Sequence, residues 1–285
     1  MNPSPPLSDT LQAKKDRLLT LLAGYGSCAV AYSGGLDSAV LAKAAHLALG
    51  ERAVAITAHS PSLGAGALEE AQTVAREIGI RHETVETHEL SLPDYRKNTS
   101  DRCYHCKNAM YARIEQHASA LGFAVVVDGA NADDGDDYRP GTRAANERGI
   151  PSPLAEAGLN KSELRALASF WELSIWDKPA SPCLSSRIAY GEVITAERLA
   201  MVDRVEGFLR RHDFEPVRVR YHRGNIARIE VPLDALPRLI VEEFRPAVVE
   251  ECLAAGFQYV SVDLEGFRSG SLNTALTAED RARLA

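Results

Sequence analysis

The stretch Ser27-Cys-Ala-Val-Ala-Tyr-Ser-Gly-Gly-Leu-Asp-Ser38 decides the fold of this 285-residue chain. Its apolar first half predicts a short buried strand, and the apolar pattern that continues to Leu49 predicts a helix. The two glycines between them predict a tight turn, whose backbone N–H groups lie at the positive end of the helix dipole. Such a turn binds phosphate oxygens well, although a strand-to-helix turn without a ligand has the same pattern.

Strand and helix patterns alternate along the first two thirds of the chain. Apolar residues at helical spacing predict helices over residues 10–24, 67–78, 104–121 and 164–171. Short apolar runs predict strands over 53–58, 83–87 and 123–128, and the last run is apolar on both faces, as a parallel sheet requires. This alternation is typical of an α/β fold with a doubly wound parallel sheet.

The pattern changes after Thr195. A long charged helix is predicted over 196–211, and two alternating segments around Gly224-Asn225 predict a β-hairpin over 217–231. A helix over 236–255 and a strand over 259–262 follow. We therefore expect a catalytic domain over residues 1–190 and a smaller α+β domain over 191–285, which binds substrate, forms a homo-oligomer, or does both.

Composition and charge argue against several classes of protein. The net charge is −7 and no segment is dense in Lys and Arg, so a nucleic acid is not an expected partner. Eighteen apolar residues never run together and no positively charged leader is present, so we expect a cytoplasmic protein without a membrane span. The five cysteines are an odd number without an export signal, which favours metal binding or thiol chemistry over a disulfide framework.

The Gly-rich turn lacks the Gly-Lys-Ser/Thr of a Walker A loop, so transfer of a γ-phosphoryl group is not expected. The turn resembles the Ser-Gly-Gly-x-Asp-Ser signature of the PP-loop ATP pyrophosphatases, which share the adenine nucleotide alpha hydrolase-like fold. In that superfamily the loop holds the β,γ-pyrophosphate of ATP as a leaving group. The residues that the resemblance implies for ATP binding are Ser33, Gly34, Gly35, Asp37 and Ser38.

An acidic segment, Asp128-Gly-Ala-Asn-Ala-Asp-Asp134, follows another predicted strand. It is similar to the acidic loop that helps to hold ATP and metal in the PP-loop superfamily. The resemblance implies a Mg²⁺ site formed by Asp37, Asp133 and Asp134, because carboxylate oxygens are the ligands that Mg²⁺ prefers. A solvated acidic turn is the alternative interpretation.

Three of the cysteines are expected at one edge of the sheet. Cys103 and Cys106 form a Cys-x-x-Cys after the third predicted strand, and Cys183 follows an apolar segment at 173–176. Loops at the carboxyl ends of parallel strands share one edge, so the three thiols can meet there. Three cysteines are one short of a filled zinc or iron–sulfur site, so a [4Fe-4S] cluster on them would keep one iron open. Half of a zinc site or a redox pair is the alternative, and Cys28 and Cys252 are expected to be buried in the core.

At this level of detail the chain resembles the ATP-dependent sulfur transferases of the LarE family, which make the nickel-pincer cofactor of lactate racemase. The resemblance covers nearly the whole chain in the same order. Its motifs are Ala31-Tyr-Ser-Gly-Gly-Leu-Asp-Ser38, Asp101-Arg-Cys-Tyr-His-Cys-Lys107, Asp133-Asp134 with Arg139-Pro-Gly141, Lys178-Pro-Ala-Ser-Pro-Cys-Leu-Ser-Ser-Arg187 and Val217-Arg-Val-Arg-Tyr-His222.

The resemblance implies a reaction in two steps. A carboxylate of pyridinium-3,5-biscarboxylic acid mononucleotide attacks the α-phosphate of ATP, which gives an acyl-adenylate and pyrophosphate. A sulfur nucleophile then displaces AMP and forms a thiocarboxylate. Cys183 matches the sulfur-donating cysteine of the family, which in one branch gives up its own sulfur and in another shares a [4Fe-4S] cluster with two more cysteines. The presence of Cys103 and Cys106 fits the cluster branch.

Substrate-binding residues are also implied. Arg218 and Arg220 alternate on one predicted strand, so both guanidinium groups face the same side and can hold a phosphate or a carboxylate together. Arg187 is a third candidate. Two solvated arginines on a surface strand would have the same pattern.

Two other activities fit parts of the sequence. A PP-loop tRNA thiolase would share the loop, the cysteines and the cluster, but the acidic net charge argues against it. An amide-forming ligase of the NAD synthetase type would share the loop and use ammonia in place of sulfur.

Overall fold

A computed structural model describes residues 7–134, 140–179, 182–268 and 270–272. The main sheet has four parallel strands in the order β3-β2-β1-β4. They are β1 (Cys28–Ala31), β2 (Ala53–His59), β3 (Arg81–Glu86) and β4 (Val125–Val127). The chain moves outward from β1 to β3 and then returns to place β4 on the other side of β1. This change of direction between β1 and β4 is the arrangement of a Rossmann-like sheet, and it confirms the predicted parallel α/β sheet.

Helices cover both faces of this sheet. They are α1 (Asp9–Gly24), α2 (Leu36–Leu49), α3 (Ala67–Ile78), α4 (Pro93–Arg96), α5 (Arg102–Ala120), α6 (Pro140–Glu147), α7 (Pro153–Glu156) and α8 (Lys161–Phe170). Helices α1, α3 and α8 pack around α2 on one face, whereas α5 packs on the other face with α6 against it. The sheet is therefore covered on both sides, as the predicted doubly wound arrangement requires.

The sequence of β1 explains why both faces bury apolar side chains. Cys28 and Val30 belong to the hydrophobic cluster of α1, α2 and α8, whereas Ala29 belongs to the cluster that contains Ile114 of α5. Successive side chains of a strand point to opposite faces, so a continuous apolar run fills two cores at once. The small residues of β1 keep α2 and α5 close to the sheet.

A capping box fixes the start of α8. The Asn160 side chain accepts from the Glu163 backbone N–H at 2.9 Å, and the Glu163 carboxylate accepts from the Asn160 backbone N–H at 3.0 Å. This pair satisfies two backbone donors of the first turn, and it confirms the helix start predicted at Asn160. It also fixes Lys161, which reaches the Gly-rich turn.

The C-terminal part has its own three-stranded sheet in the order β5-β6-β7. Its elements are α9 (Ala196–Arg210), β5 (Arg218–His222), β6 (Ile226–Glu230), α10 (Leu236–Ile240), α11 (Arg245–Ala255) and β7 (Tyr259–Val262). Strands β5 and β6 are antiparallel, which confirms the predicted hairpin, and β7 pairs with β6 in parallel. The sheet and helices form a mixed α+β unit.

One predicted helix is wrong. The segment 236–255 forms two helices, α10 and α11, with residues 241–244 between them. Pro246 lies in the first turn of α11, where its missing N–H is tolerated, and it would break a backbone hydrogen bond inside a continuous helix. The chain therefore begins a new helix there.

The packing of the two parts is continuous. The hydrophobic cluster of α9, β5 and α11 also contains Tyr95, Leu184 and Ile188, which precede the predicted boundary at residue 190. The division into domains at that residue stays a prediction. None of the helices in the described residues is long and apolar enough to cross a membrane.

Candidate functional site

The Gly-rich turn joins β1 to α2 at the carboxyl edge of the main sheet. Gly34 has φ +72°, and a Cβ at this position would lie 2.7 Å from Cβ of Ala71 in α3. The Ser38 hydroxyl accepts from the Ser33 backbone N–H at 3.2 Å and donates to the Gly35 carbonyl at 3.0 Å. Gly35 is the N-cap of α2 and no side chain caps it. The turn is thus held in shape by its own serines, and the open helix start suits an anion.

The acidic loop after β4 touches this turn. A Cβ on Gly129 would lie 3.2 Å from the Ser38 backbone nitrogen, so a larger residue would have to push the loop away from α2. Asp128 is buried and accepts from the Tyr111 hydroxyl at 2.8 Å and from the Ser152 hydroxyl at 2.6 Å. These contacts hold the loop at the crevice between β1 and β4, where ligands bind in sheets of this kind.

The carboxylates predicted to bind magnesium contact protein groups. Asp37 forms a 2.6 Å ion pair with Lys161, and Asp133 accepts from the backbone N–H of Lys161 at 2.9 Å. Asp134 accepts from the Asn131 backbone N–H at 3.0 Å. Across the described residues, no group of three or more His, Cys, Asp or Glu side chains is arranged to hold a metal ion. The magnesium site stays a prediction, and Arg139 lies outside the described residues.

The three cysteines predicted at the sheet edge lie on two segments. Cys103 and Cys106 lie in the first two turns of α5, and Cys183 is the N-cap of a 3-10 turn, Leu184–Arg187. Cys103 and Cys183 are exposed, and Cys106 is partly buried. The apolar segment at 173–176 forms turns instead of a strand, so Cys183 does not follow a strand of the main sheet. Cys28 and Cys252 are buried in the core, as predicted.

Cys103 and Cys183 lie close enough to Cys106 to affect the pKa of its thiol. Burial raises the pKa of Cys106, and the neighbouring Cys183, Glu89 and Cys103 raise it further. Arg102 places Nη2 4.0 Å from the Cys103 sulfur. Burial opposes the charge of Arg102, but Cys103 and Cys183 outweigh this effect and raise its pKa. The described side chains are not arranged as a group that could hold a metal ion, so the cluster predicted on these three cysteines stays a prediction.

Arg187 holds the Cys183 turn from inside the protein. Its side chain is 1% exposed, and its Nε and Nη2 donate to the two carboxylate oxygens of Glu206 at 2.9 and 3.1 Å. Nη1 donates to the carbonyls of Pro182 and Cys183 at 2.5 and 3.0 Å. The guanidinium group is thus bonded to protein on all sides, and its predicted contact with substrate stays a prediction.

A second set of contacts ties the same turn to the segment before α5. The hydroxyls of Tyr95 and Ser185, both buried, lie 2.5 Å apart. Nη1 of Arg102 donates to the Ser185 carbonyl at 3.0 Å, and the Leu184 N–H donates to the Ser62 carbonyl at 2.9 Å. Cys183 is therefore positioned by buried polar contacts on both sides of it.

A cavity of about 230 Å³ opens beside the Cys183 turn. Pro182 and Ser186 line it on either side of the cysteine, and none of the described residues that line it is Asp or Glu. Four arginines and two aromatic residues give the cavity its chemistry: Arg102, Arg218, Arg220, Arg268, Tyr190 and Phe267. The arginines suit an anionic ligand and the aromatic residues suit a flat ring, although Arg220 and Arg268 also form ion pairs with carboxylates of the protein.

The two arginines predicted on β5 both line this cavity. Arg220 is buried and donates to Glu230 at 2.8 Å and to the Ser186 carbonyl at 3.0 Å. Arg218 is half-buried, and burial lowers its pKa to about 10, with Arg187 and Arg220 contributing in the same direction. An anion bound beside these arginines would stabilise the charged form of Arg218. Sequence reasoning missed the other arginines and the aromatic residues here, because they come from distant segments.

A larger cavity of about 590 Å³ lies at the ends of β2 and β3, against α9. Its lining includes His59 at the end of β2, Glu69 in the first turn of α3, Asp203 of α9, and Leu184 beside Cys183. Asp203 accepts from the Ala65 backbone N–H at 3.1 Å and fixes the loop over the cavity. Its volume is in the range of small-molecule sites.

Together, the fold and the site define an α/β protein with a glycine-rich, phosphate-type turn and three thiols beside an arginine-lined cavity. No family model matches the chain. It is 38% identical over 277 residues to the pyridinium-3,5-bisthiocarboxylic acid mononucleotide synthase of Lactiplantibacillus plantarum, covering 97% of this chain and 99% of that protein. The chain therefore belongs to the family of this synthase, the LarE family.

Two uncharacterised proteins are also similar. One, from Synechocystis sp., is 46% identical over 267 residues, which is 94% of this chain and 99% of that protein. The other, from Methanocaldococcus jannaschii, is 31% identical over 242 residues, which is 84% of this chain and 90% of that protein. Neither adds a function.

Proposed function

We propose that this chain is an ATP-dependent sulfur transferase that converts the carboxylates of pyridinium-3,5-biscarboxylic acid mononucleotide into thiocarboxylates for nickel-pincer cofactor synthesis. The observation that carries the proposal is the position of Cys183, which lies between two residues that line a cavity. The described lining of this cavity includes four arginines and no carboxylate. The family membership of the chain supports the same substrate.

The first step activates the carboxylate. The substrate oxygen attacks the α-phosphorus of ATP, the bond to the β-phosphate oxygen breaks, and pyrophosphate leaves. The residues proposed to hold the phosphates are Ser33, Gly34, Gly35, Asp37 and Ser38. The uncapped start of α2 and its dipole stabilise the charge on the leaving pyrophosphate.

Lys161 extends this arrangement. Its ammonium group lies 2.6 Å from Asp37 at the turn. A magnesium ion bound with the phosphates would be held by Asp37, Asp133 and Asp134 and would supply charge neutralisation there. Lys161 then provides a second positive charge at the same place.

The second step transfers sulfur. A sulfur nucleophile attacks the carbonyl carbon of the acyl-adenylate, and the C–O bond to AMP breaks. A thiolate suits this step because it is far more nucleophilic than a hydroxyl at neutral pH. If Cys183 gives up its own sulfur, the intermediate is a thioester. A base then removes the Cα proton of residue 183 as the Cβ–S bond breaks, which leaves dehydroalanine and releases the thiocarboxylate.

The chain also carries the residues for the cluster branch. When bound to Cys103, Cys106 and Cys183, a [4Fe-4S] cluster would supply a transferable sulfide, so the protein would not be consumed. Arg102 lies beside Cys103 and balances the negative charge of the thiolates. Iron and sulfide analysis of anaerobically prepared protein distinguishes the branches. Iron-free protein that transfers one sulfur and loses the Cys183 sulfur supports the sacrificial branch.

The activation step is tested by ATP–pyrophosphate exchange. The assay is run with the pyridinium mononucleotide, with tRNA and with no second substrate. We expect exchange only with the mononucleotide. Exchange that depends on tRNA alone contradicts the proposal and supports a tRNA thiolase, and formation of an amide from ammonia supports a ligase of the NAD synthetase type. The homo-oligomer expected from the sequence is tested separately by light scattering.

A further inference from the structure

Glu89 is a buried carboxyl group outside the residues proposed to bind ATP, substrate or sulfur. It lies in the 3-10 turn Glu89–Ser91 after β3 and is 2% exposed. The other two buried glutamates of the described chain, Glu206 and Glu230, are paired with arginines, whereas no ion pair to Glu89 is found among the described residues. A buried carboxyl group without a cation is costly, so its presence indicates a role other than packing.

Two serine hydroxyls meet at one oxygen of this carboxyl group. Ser60 and Ser62 follow β2 and are both buried, and each hydroxyl donates to Oε1 of Glu89, that of Ser62 at 2.9 Å. The Ser62 backbone N–H donates to the Ser60 hydroxyl at 3.2 Å. Because a carboxylate only accepts hydrogen bonds, it sets the direction of both hydroxyls. Glu89 thereby fixes the start of the loop between β2 and α3.

The same loop holds the peptide group that joins Cys183 to Leu184. The Leu184 N–H donates to the Ser62 carbonyl at 2.9 Å. The Cys183 carbonyl, on the other side of this peptide, accepts from Nη1 of Arg187 at 3.0 Å. Since a peptide group is planar, two hydrogen bonds on its opposite sides fix the ψ angle of Cys183, which is 157°. Rotation about χ1 is then the main freedom left to the thiol.

This peptide lies where the two cavities meet. Leu184 lines the larger cavity, whereas Pro182 and Ser186 line the arginine-lined cavity. Because Ser62 holds the peptide that follows Cys183, a shift of its loop would move the thiol relative to a ligand in either cavity.

We infer that Glu89 is a positioning residue for sulfur transfer, which acts through Ser62 and the Leu184 N–H to hold the Cys183 thiol in place. The role in sulfur transfer rests on the proposed function, whereas the hydrogen-bonded path from Glu89 to Leu184 does not. ATP is expected to be cleaved at the turn after β1, so loss of this path should slow the second step and spare the first. A misplacement of reacting atoms by about 1 Å can lower a rate by roughly 100-fold.

Amide hydrogen exchange, read at single residues by mass spectrometry, tests the path without any substrate. Glu89→Leu removes the acceptor and retains most of the buried volume. We expect the Leu184 amide of this variant to exchange roughly tenfold or more faster than in the wild type. The Ala189 amide, which donates to the Tyr221 carbonyl at 3.0 Å, should exchange as in the wild type. Glu89→Gln keeps an acceptor oxygen for both hydroxyls, so it should restore most of the protection.

Two rates distinguish positioning from general damage. Mononucleotide-dependent ATP–pyrophosphate exchange and thiocarboxylate formation are measured on the same full-length, anaerobically prepared proteins. Glu89→Leu should retain the exchange rate of the wild type and form thiocarboxylate roughly tenfold or more slowly, while Glu89→Gln should stay close to the wild type in both. Ser91→Ala removes an exposed hydroxyl that donates to the His88 carbonyl, and this matched control in the same turn should change neither rate.

Ser62→Ala provides a milder variant if Glu89→Leu folds poorly. It removes one of the two hydroxyls and keeps the carbonyl that binds Leu184, so it should change exchange and sulfur transfer in the same direction by smaller factors. Unchanged Leu184 exchange in both variants overturns the inference alone, and so does an equal loss of both rates. Glu89→Gln that behaves like Glu89→Leu also overturns it, because the charge and not the acceptor would then matter. Wild-type protein that forms no thiocarboxylate overturns the proposed function, and the role of Glu89 in sulfur transfer with it, even where Leu184 exchange responds as expected.

Discussion

Glu206→Gln should destabilise the protein strongly, because it removes the charge that compensates a buried arginine. Glu206 is fully buried and accepts from Nε and Nη2 of Arg187, which is 1% exposed, and from the Val219 N–H at 3.0 Å. Breaking a buried pair of this kind costs about 3–5 kcal/mol, since the remaining charge stays in a poorly solvated place. With a urea m-value of about 3 kcal/mol/M, the unfolding midpoint should fall by roughly 1 M or more.

The assay is urea unfolding followed by far-UV circular dichroism, with two further variants. Arg210→Ala removes the partly exposed partner of the same carboxylate, whose Nη2 lies 2.6 Å away, and should cost about 1 kcal/mol or less. Arg187→Met with Glu206→Gln should recover part of the lost stability, because no uncompensated charge remains. A Glu206→Gln midpoint equal to that of the wild type, or an equally large loss in Arg210→Ala, would refute the reasoning.

Three other predictions concern the turn and the thiols. Gly34→Ala should abolish ATP binding in equilibrium dialysis and should lower stability by more than Gly26→Ala does. Both changes introduce left-handed backbone strain of about 1–2 kcal/mol, but the new Cβ at Gly26 has no atom within 4 Å. Equal losses of stability in the two variants would contradict the role of the close contact at Gly34. In iron-free protein at pH 8, iodoacetamide should label Cys103 well before Cys106, whose raised pKa keeps it protonated until higher pH, and mass mapping with the reverse order would contradict this. Tyr95→Phe should cost about 1–3 kcal/mol in urea unfolding, because the buried Ser185 hydroxyl loses its partner; an unchanged midpoint would exclude that contact as a stabilising one.

Local signals predicted most of the main sheet and its edge. The apolar run and glycines of residues 27–38, the capping box at Asn160 and the Gly224-Asn225 turn each specify a structure within a few residues. Strand alternation then places the loop after β1 and the loop after β4 at one edge, because parallel sheets permit few arrangements. These parts of the fold depend on interactions between residues close together in the sequence, so the local sequence pattern predicts them.

Long-range contacts could not be predicted in the same way. The burial of Arg187 depends on Glu206, nineteen residues later, and nothing in the local pattern distinguishes this arginine from one that binds substrate. The position of Phe267 and Arg268 beside the arginine-lined cavity depends on the path of the chain after β7. A signal was present in the sequence Gly266-Phe-Arg-Ser-Gly270, where two glycines enclose an aromatic and a basic residue. Such a segment is more typical of a ligand site than of a plain loop.

The measurement that tests the central claim most directly is the product formed by Cys183→Ala. The variant is incubated with ATP and the pyridinium mononucleotide, and both pyrophosphate exchange and thiocarboxylate are measured, with Cys252→Ala, which removes a buried thiol in α11, as the control. We predict that Cys183→Ala retains mononucleotide-dependent exchange and makes no thiocarboxylate, while Cys252→Ala does both. Thiocarboxylate formation by Cys183→Ala at the wild-type rate would contradict the assignment of sulfur transfer to this cysteine.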